Sequence, residues 1–219
     1  SELAKISFIF YTASWLDRRY QVMNKNVILL LPKFFILAVT IFLIYLEPDL
    51  GTTIIIILVI FSMYFVAGLN KKYILSLGLM ALPLIVYSLI KTPYRLKRLI
   101  AFFNPWEHFQ DTGYQLIQSY LAIANASFWG KGIGSSQLKL LYLPEAHTDF
   151  ILSIIIEELG IFGVLIVIGF FIIFGYIGIK IAINSQNYFA KIVALGITTM
   201  ITYQAIMNIA VVTGLVPTK

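Results

Sequence analysis

The sequence predicts an all-α fold, a polytopic bundle of membrane-spanning helices with a long, partly helical loop on the outer side. Three observations carry that prediction. Of the 219 residues, 60% are hydrophobic and 12% are charged, where a soluble domain has about 45–50% and about 25%. The apolar residues gather in stretches of about 20, the length a helix needs to cross a bilayer. Short polar breaks, most of them holding Lys or Arg, separate those stretches.

Taken in order, residues 1–16 are apolar but too short to span, and 17–26 carry Arg18, Arg19 and Lys25. Residues 27–46 span, with Pro32 and Lys33 near the start, where a lysine can snorkel. The EPDL break at 47–50 comes next, then a span at 51–69, a basic turn at 70–72 and a span at 73–90 with Pro83 as a kink. Residues 91–149 form the long loop. Residues 150–183 are long enough to span with tilt, or to break. A short polar turn at 184–187 leads to the last span at 188–216, before Pro217. The expectation is one membrane domain over residues 1–219, with about five full spanning helices plus a partial first. The chain opens at Ser1 without an initiator methionine, which reads as a partial sequence.

Positive charge orients the bundle. Arg18, Arg19, Lys25, Lys71, Lys72, Lys180 and Lys191 flank three connections of one parity, which are assigned to the cytoplasm. The EPDL turn, the long loop and the last residues then fall outside. The net charge of +6 follows from this topology and needs no nucleic-acid partner. The loop still holds Lys91, Arg95, Lys97, Arg98, Lys131 and Lys139 on the outer side. Long loops translocate regardless of charge, so the topology stands, and those cations need a purpose.

Within the loop, residues 113–126 (GYQLIQSYLAIANA) have helical spacing, and 129–134 (WGKGIG) read as a flexible glycine-rich link. Trp106 and Trp129 suit the membrane interface. With no cysteine, thiol chemistry and disulfides are excluded. No phosphate-binding loop, dinucleotide fingerprint, zinc-helix motif or serine nucleophile elbow is present.

Glu145, His147 and Asp149 alternate just before a spanning stretch. Ionisable groups there are costly unless solvated, paired or used. If extended, the stretch puts all three on one side, as a general base or a divalent-metal ligand set. Carboxylates with one imidazole suit Mg2+, Mn2+ or Zn2+. The structural alternative is that Thr148 or Asp149 caps the next helix. Arg95, Lys97 and Arg98 match phosphate oxygens, either of a lipid diphosphate or of anionic headgroups. Glu2 and Lys5 share a helix face and either line a cavity or form a structural ion pair. Asp49 lines a site or caps the helix after it. Glu157 and Glu158 either face a polar cavity or become wet where the helix breaks near Gly160.

Eight stretches, in this order, resemble the SEDS family (shape, elongation, division and sporulation). They are SELAK at 1–5, EPDLGT at 47–52, PYRLKR at 93–98, NPWE at 104–107, GYQLIQS at 113–119, WGKGIG at 129–134, LPEAHTDF at 143–150 and EELG at 157–160. NPWE and PEAHTDF point to the division and sporulation branch.

The resemblance implies a SEDS-like helix bundle larger than this chain. It also implies a peptidoglycan glycosyltransferase of the bacterial cytoplasmic membrane, multi-pass, acting in cell division. Such enzymes polymerise lipid II, an undecaprenyl-diphosphate-linked disaccharide peptide, outside the membrane. They pair with a class B penicillin-binding protein and with divisome proteins. Asp149 matches the aspartate regarded as catalytic in the family, and Glu2, Lys5 and Asp49 match positions lining its central cavity. On this reading Arg95, Arg98 and Lys131 stabilise the leaving diphosphate. Glu145 and His147 position Asp149 or share a divalent cation with it, Mg2+ or Mn2+. The rival functions are a lipid II flippase and a non-catalytic scaffold for the penicillin-binding protein.

Overall fold

The computed structural model describes residues 2–19, 50–136 and 148–218. The expected span at 27–46, Asp49, Glu145 and His147 lie outside these residues. Among the described residues the chain is all-α. Its helices are α1 (Glu2–Arg19), α2 (Leu50–Val66), α3 (Lys71–Lys91), α4 (Pro93–Phe103), α5 (Tyr114–Asn125), α6 (Ile151–Asn184) and α7 (Tyr188–Val212). A 3-10 turn at Pro105–His108 separates α4 from α5. The segments divide into two compact units, one of Ser1–Pro83 with Phe174–Gln204, the other of Leu84–Ile173 with Ala205–Thr218.

In the first unit, α1 buries Lys5, Phe8, Ile9, Thr12, Ala13 and Leu16. That spacing of three and four is one helical face. It lies against α2, whose Ile55, Ile56, Val59 and Ile60 surround a small apolar gap shared with Lys5, Phe8, Ile9 and Met200. Where α6 and α7 meet, small residues replace bulky ones. Gly178 leaves no room for a methyl group beside Thr198, and Gly175 faces Thr202. Both threonines donate to carbonyls of their own helix, Thr198 to Ala194 and Thr202 to Thr198, so the close approach strands no hydroxyl.

In the second unit, Phe150, Leu152, Ile154 and Ile156 of the α6 start pack with Ala122 of α5 and with Val211 and Val212 of α7. Within the loop predicted at 91–149, the described residues hold α4, the 3-10 turn and α5, the last being the helix expected over 113–126.

Among the described residues two helices are long and apolar enough to cross a membrane, α6 with mean hydropathy 2.6 and α7 with 1.5. A shorter apolar helix covers Gly51–Val66. Only 11% of the α6 window is buried. Leu165, Ile166, Phe170, Ile172 and Ile173 stand exposed along it. Such a surface belongs against lipid or further protein.

The span expected at 150–183 breaks, the second of its two alternatives. Gly160 has φ 61° and ψ −148°, outside helical space. Beyond it, residues 161–184 continue as helix. At 1.5 Å each they reach about 36 Å, enough for a hydrocarbon core of about 30 Å. The section before the break is surplus to crossing and free to serve the loop.

Candidate functional site

Asp149 sits in a turn at 148–150, two residues before α6 begins. It is half-buried, neither sealed in the core nor fully exposed. The residues after it fix its place. Phe150 is 1% exposed in the apolar cluster. Ser153 on the first turn of α6 bonds the Ser119 hydroxyl of α5, Oγ to Oγ 2.8 Å. Ser119 Oγ also donates to the Val212 carbonyl at the end of α7, at 2.8 Å. Both serines are fully buried. Three helices thus meet under Asp149 through one polar link inside an apolar core. Such a link orients its members more strictly than apolar contact alone.

The second feature is the helix break. In an unbroken helix the carbonyls of Glu157 and Glu158 would accept from residues 161 and 162. Here the glycine-rich loop takes their place. Lys131 N–H donates to Glu157 O (2.9 Å), Gly132 N–H to Glu158 O (3.0 Å), and Ile161 N–H to Phe128 O (3.2 Å). The backbones come this close because both sides are glycine. A Cβ on Gly130 would lie 2.1 Å from Glu158 O, and one on Gly160 would lie 2.3 Å from Phe128 O. Trp129 stacks on Phe162 (4.8 Å between centroids, 19° between planes) and closes the edge of the contact.

Side chains complete the clamp. Lys131 Nζ donates to Glu157 Oε1 (2.8 Å), Ser136 Oγ to Glu157 Oε2 (2.7 Å), and Ser136 N–H to Glu158 Oε1 (3.3 Å). Glu157 and Glu158 are only 2% and 7% exposed. The expectation of wet carboxylates at a broken helix is not met. The loop covers them and supplies their donors. Residues 129–134, expected to be a flexible link, are tied down by the same bonds.

The other candidates lie on α4, in the loop and on α1. Arg95 is buried on α4, and Arg98 lies one turn on with its guanidinium 4.4 Å over the Tyr94 ring. Pro93 opens α4 at a position where no N–H is needed, so both arginines are carried on a regular helix. Lys131 shares its charge with Glu157, which reduces what it can offer a second anion. Arg95, Arg98, Lys131 and Asp149 all belong to the second unit. Glu2 and Lys5 are in the first and form the expected ion pair, 2.6 Å, with Lys5 2% exposed and Glu2 73%. Among the described residues no three His, Asp or Glu side chains converge as a metal site. Of the expected set Asp149 is placed, and Glu145 and His147 lie outside the described residues. The residues that sequence reasoning missed are Ser119, Ser136 and Ser153. Serines at these spacings carry no signal of their own, since only the fold brings them to their partners.

The whole chain, residues 1–219, matches the family of FtsW/RodA/SpoVE cell cycle proteins. A Geobacter sulfurreducens relative named "Probable peptidoglycan glycosyltransferase FtsW" is 41% identical over 219 residues, covering 100% of this chain and 59% of the relative. A relative of the same name from Legionella pneumophila is 40% identical over 222 residues, covering 56% of its length. A solved structure showing structural coordination of polymerization and crosslinking by a peptidoglycan synthase complex is also similar. It has TM-score 0.75 and 26% identity, covering 99% of this chain and 60% of that one. The chain therefore spans about three-fifths of the length of the curated relatives it matches.

Proposed function

We propose, because this chain belongs to the FtsW/RodA/SpoVE family of cell cycle proteins, that it forms the greater part of a peptidoglycan glycosyltransferase. The enzyme is a multi-pass protein of the bacterial cytoplasmic membrane. It polymerises lipid II on the outer side during cell division. The naming of relatives as peptidoglycan glycosyltransferases supports the reaction. The likeness to a chain of a peptidoglycan synthase complex supports a class B penicillin-binding protein as partner. Divisome proteins complete the assembly.

The observation that carries the reading is the seat of Asp149. A half-buried aspartate directly precedes a packed phenylalanine and lies four residues before a buried serine that is bonded across to α5, at the start of a broken helix. In the proposed reaction an acceptor sugar hydroxyl attacks the anomeric carbon of the donor. The carbon–oxygen bond to undecaprenyl diphosphate breaks and its electron pair leaves with the diphosphate. Asp149 accepts the hydroxyl proton as general base. One displacement inverts configuration, taking an α-linked diphosphate to a β-linked glycan. Arg98 and Arg95 stabilise the charge that grows on the leaving group, and Lys131, already paired, adds less. Glu145 and His147 orient Asp149. A divalent cation, Mg2+ or Mn2+, if bound with Asp149, would supply Lewis acidity to the diphosphate. Glu2, Lys5 and Asp49 shape the cavity.

The test is polymerisation of labelled lipid II by the full-length protein with its penicillin-binding partner. Asp149→Asn keeps the shape and cannot take the proton. Product is expected to fall to background while the protein stays folded. Retained polymer would remove Asp149 from the chemistry. Transport of unpolymerised lipid II without product would favour the flippase, and complex formation without either would favour the scaffold.

A further inference from the structure

We infer that Glu157 and Ser136 are positioning residues for glycan formation, a role that rests on the reaction proposed above. Two carboxylates sit side by side on α6, and both are buried in a helix that is otherwise nearly all apolar. Burying a carboxylate is costly even when it is paired, and an apolar contact would hold a loop to a helix without that cost. What the charged version adds is direction. Neighbouring side chains on a helix point about 100° apart, so one donor cannot serve both glutamates. Ser136 serves both by using two groups. Its hydroxyl goes to Glu157 and its backbone N–H to Glu158. That fixes the position and the orientation of residue 136 together.

The consequence lies in what α6 carries. Its first section, from Ile151 to the break at Gly160, comes directly after Asp149 and bears Glu157 two turns later. The same short helix therefore seats the proposed base at one end and grips Ser136 at the other. Lys131, gripped alongside, is held as a pinned cation with its side chain 31% exposed. Loop and base share one rigid support. Loosening the grip leaves Asp149 chemically intact and displaces the groups around it.

Ser136→Ala tests this gently, since it removes one hydroxyl and leaves the Lys131–Glu157 pair. The full-length protein with its penicillin-binding partner is assayed over a range of lipid II concentrations, with its folded fraction monitored. A misplacement of about 1 Å costs on the order of a hundredfold in rate, so kcat is expected to fall by on the order of tenfold to a hundredfold. KM should stay within about twofold, because a loss confined to the transition state leaves substrate binding unchanged. Ser136→Thr restores the hydroxyl and should recover most of the rate. Ser135→Ala, next door but bonded only to Gly132 O within the loop, should stay close to wild type. Wild-type kcat in Ser136→Ala overturns the inference alone. So does a loss that Ser136→Thr does not relieve, that Ser135→Ala matches, or that tracks the folded fraction. A full-length wild-type protein that makes no polymer overturns the glycosyltransferase reading, and this inference with it.

Discussion

Replacing Gly160 by alanine distinguishes a broken helix from a continuous one by the sign of its effect. In a regular helix Gly→Ala stabilises by about 1 kcal/mol, because alanine loses less backbone entropy. At Gly160 the backbone sits at φ 61°, ψ −148°, a region that is essentially glycine's alone and costs another residue about 1–3 kcal/mol. The new Cβ would also meet Phe128 O at 2.3 Å and Gly130 N at 2.6 Å. Both are backbone atoms, so no side-chain rotation relieves the contact. The loop has to lift, and the bonds from Lys131, Gly132 and Ile161 N–H go with it. At about 0.5–1.5 kcal/mol each, added to the backbone cost, the total destabilisation is about 2.5–7.5 kcal/mol. Thermal unfolding in detergent should show it, at about 2–4 °C per kcal/mol for a chain of this size. Hydrogen exchange at the amides of Lys131, Gly132 and Ile161 should quicken first. Gly169 on the same helix is the control, since a Cβ there meets nothing within 4 Å. Gly169→Ala should be neutral or stabilising. If Gly160→Ala behaves like Gly169→Ala, the break and the clamp built on it are wrong.

Two more outcomes concern buried polar groups. Ser119→Ala should cost about 1–3 kcal/mol, because it leaves a buried hydroxyl and a buried carbonyl short of a partner where Ser119 and Ser153 are both 0% exposed. Ser119→Ala with Ser153→Ala should cost clearly less than the sum of the single changes, and additive values in a double-mutant cycle would break the link drawn under Asp149. In the other unit, Glu2→Gln should destabilise, because it removes the counter-ion of an ammonium group that is 2% exposed. Adding Lys5→Met, which removes the charge and keeps most of the volume, should recover that loss. A double variant worse than Glu2→Gln alone would show that Lys5 is held by something other than this pair.

Much of the fold was legible because its signals are local. The apolar stretch at 188–216 returns as α7, the basic turn at 70–72 opens α3, and helical spacing over 113–126 returns as α5. The Glu2–Lys5 pair needed only the three-residue spacing of one helix. The clamp was not legible, because its two halves lie about thirty positions apart. WGKGIG reads as a flexible link, and EELG reads as two carboxylates that face a polar cavity or become wet at a break. Each oddity answers the other only when the backbones touch. Glycines at 130 and 160 permit the contact, and the glutamate carbonyls left bare by the break accept the loop's N–H groups.

The break also explains why α6 tolerates charge where the rest of it is nearly all apolar. A helix that crosses a bilayer satisfies its own backbone and has no reason to carry carboxylates on its lipid-facing length. Glu157 and Glu158 lie before Gly160, on the section not needed for crossing. Everything after the break, Ile161 onward, holds no ionisable side chain except Tyr176 until Lys180 near the end. Gly160 thus separates a membrane segment from a short polar-tipped support. Straightening the helix would return the Glu157 and Glu158 carbonyls to the helix ladder and displace the loop N–H groups that now hold them. Charge, break and loop therefore stand or fall together, and the section bearing them is the one that begins directly after Asp149.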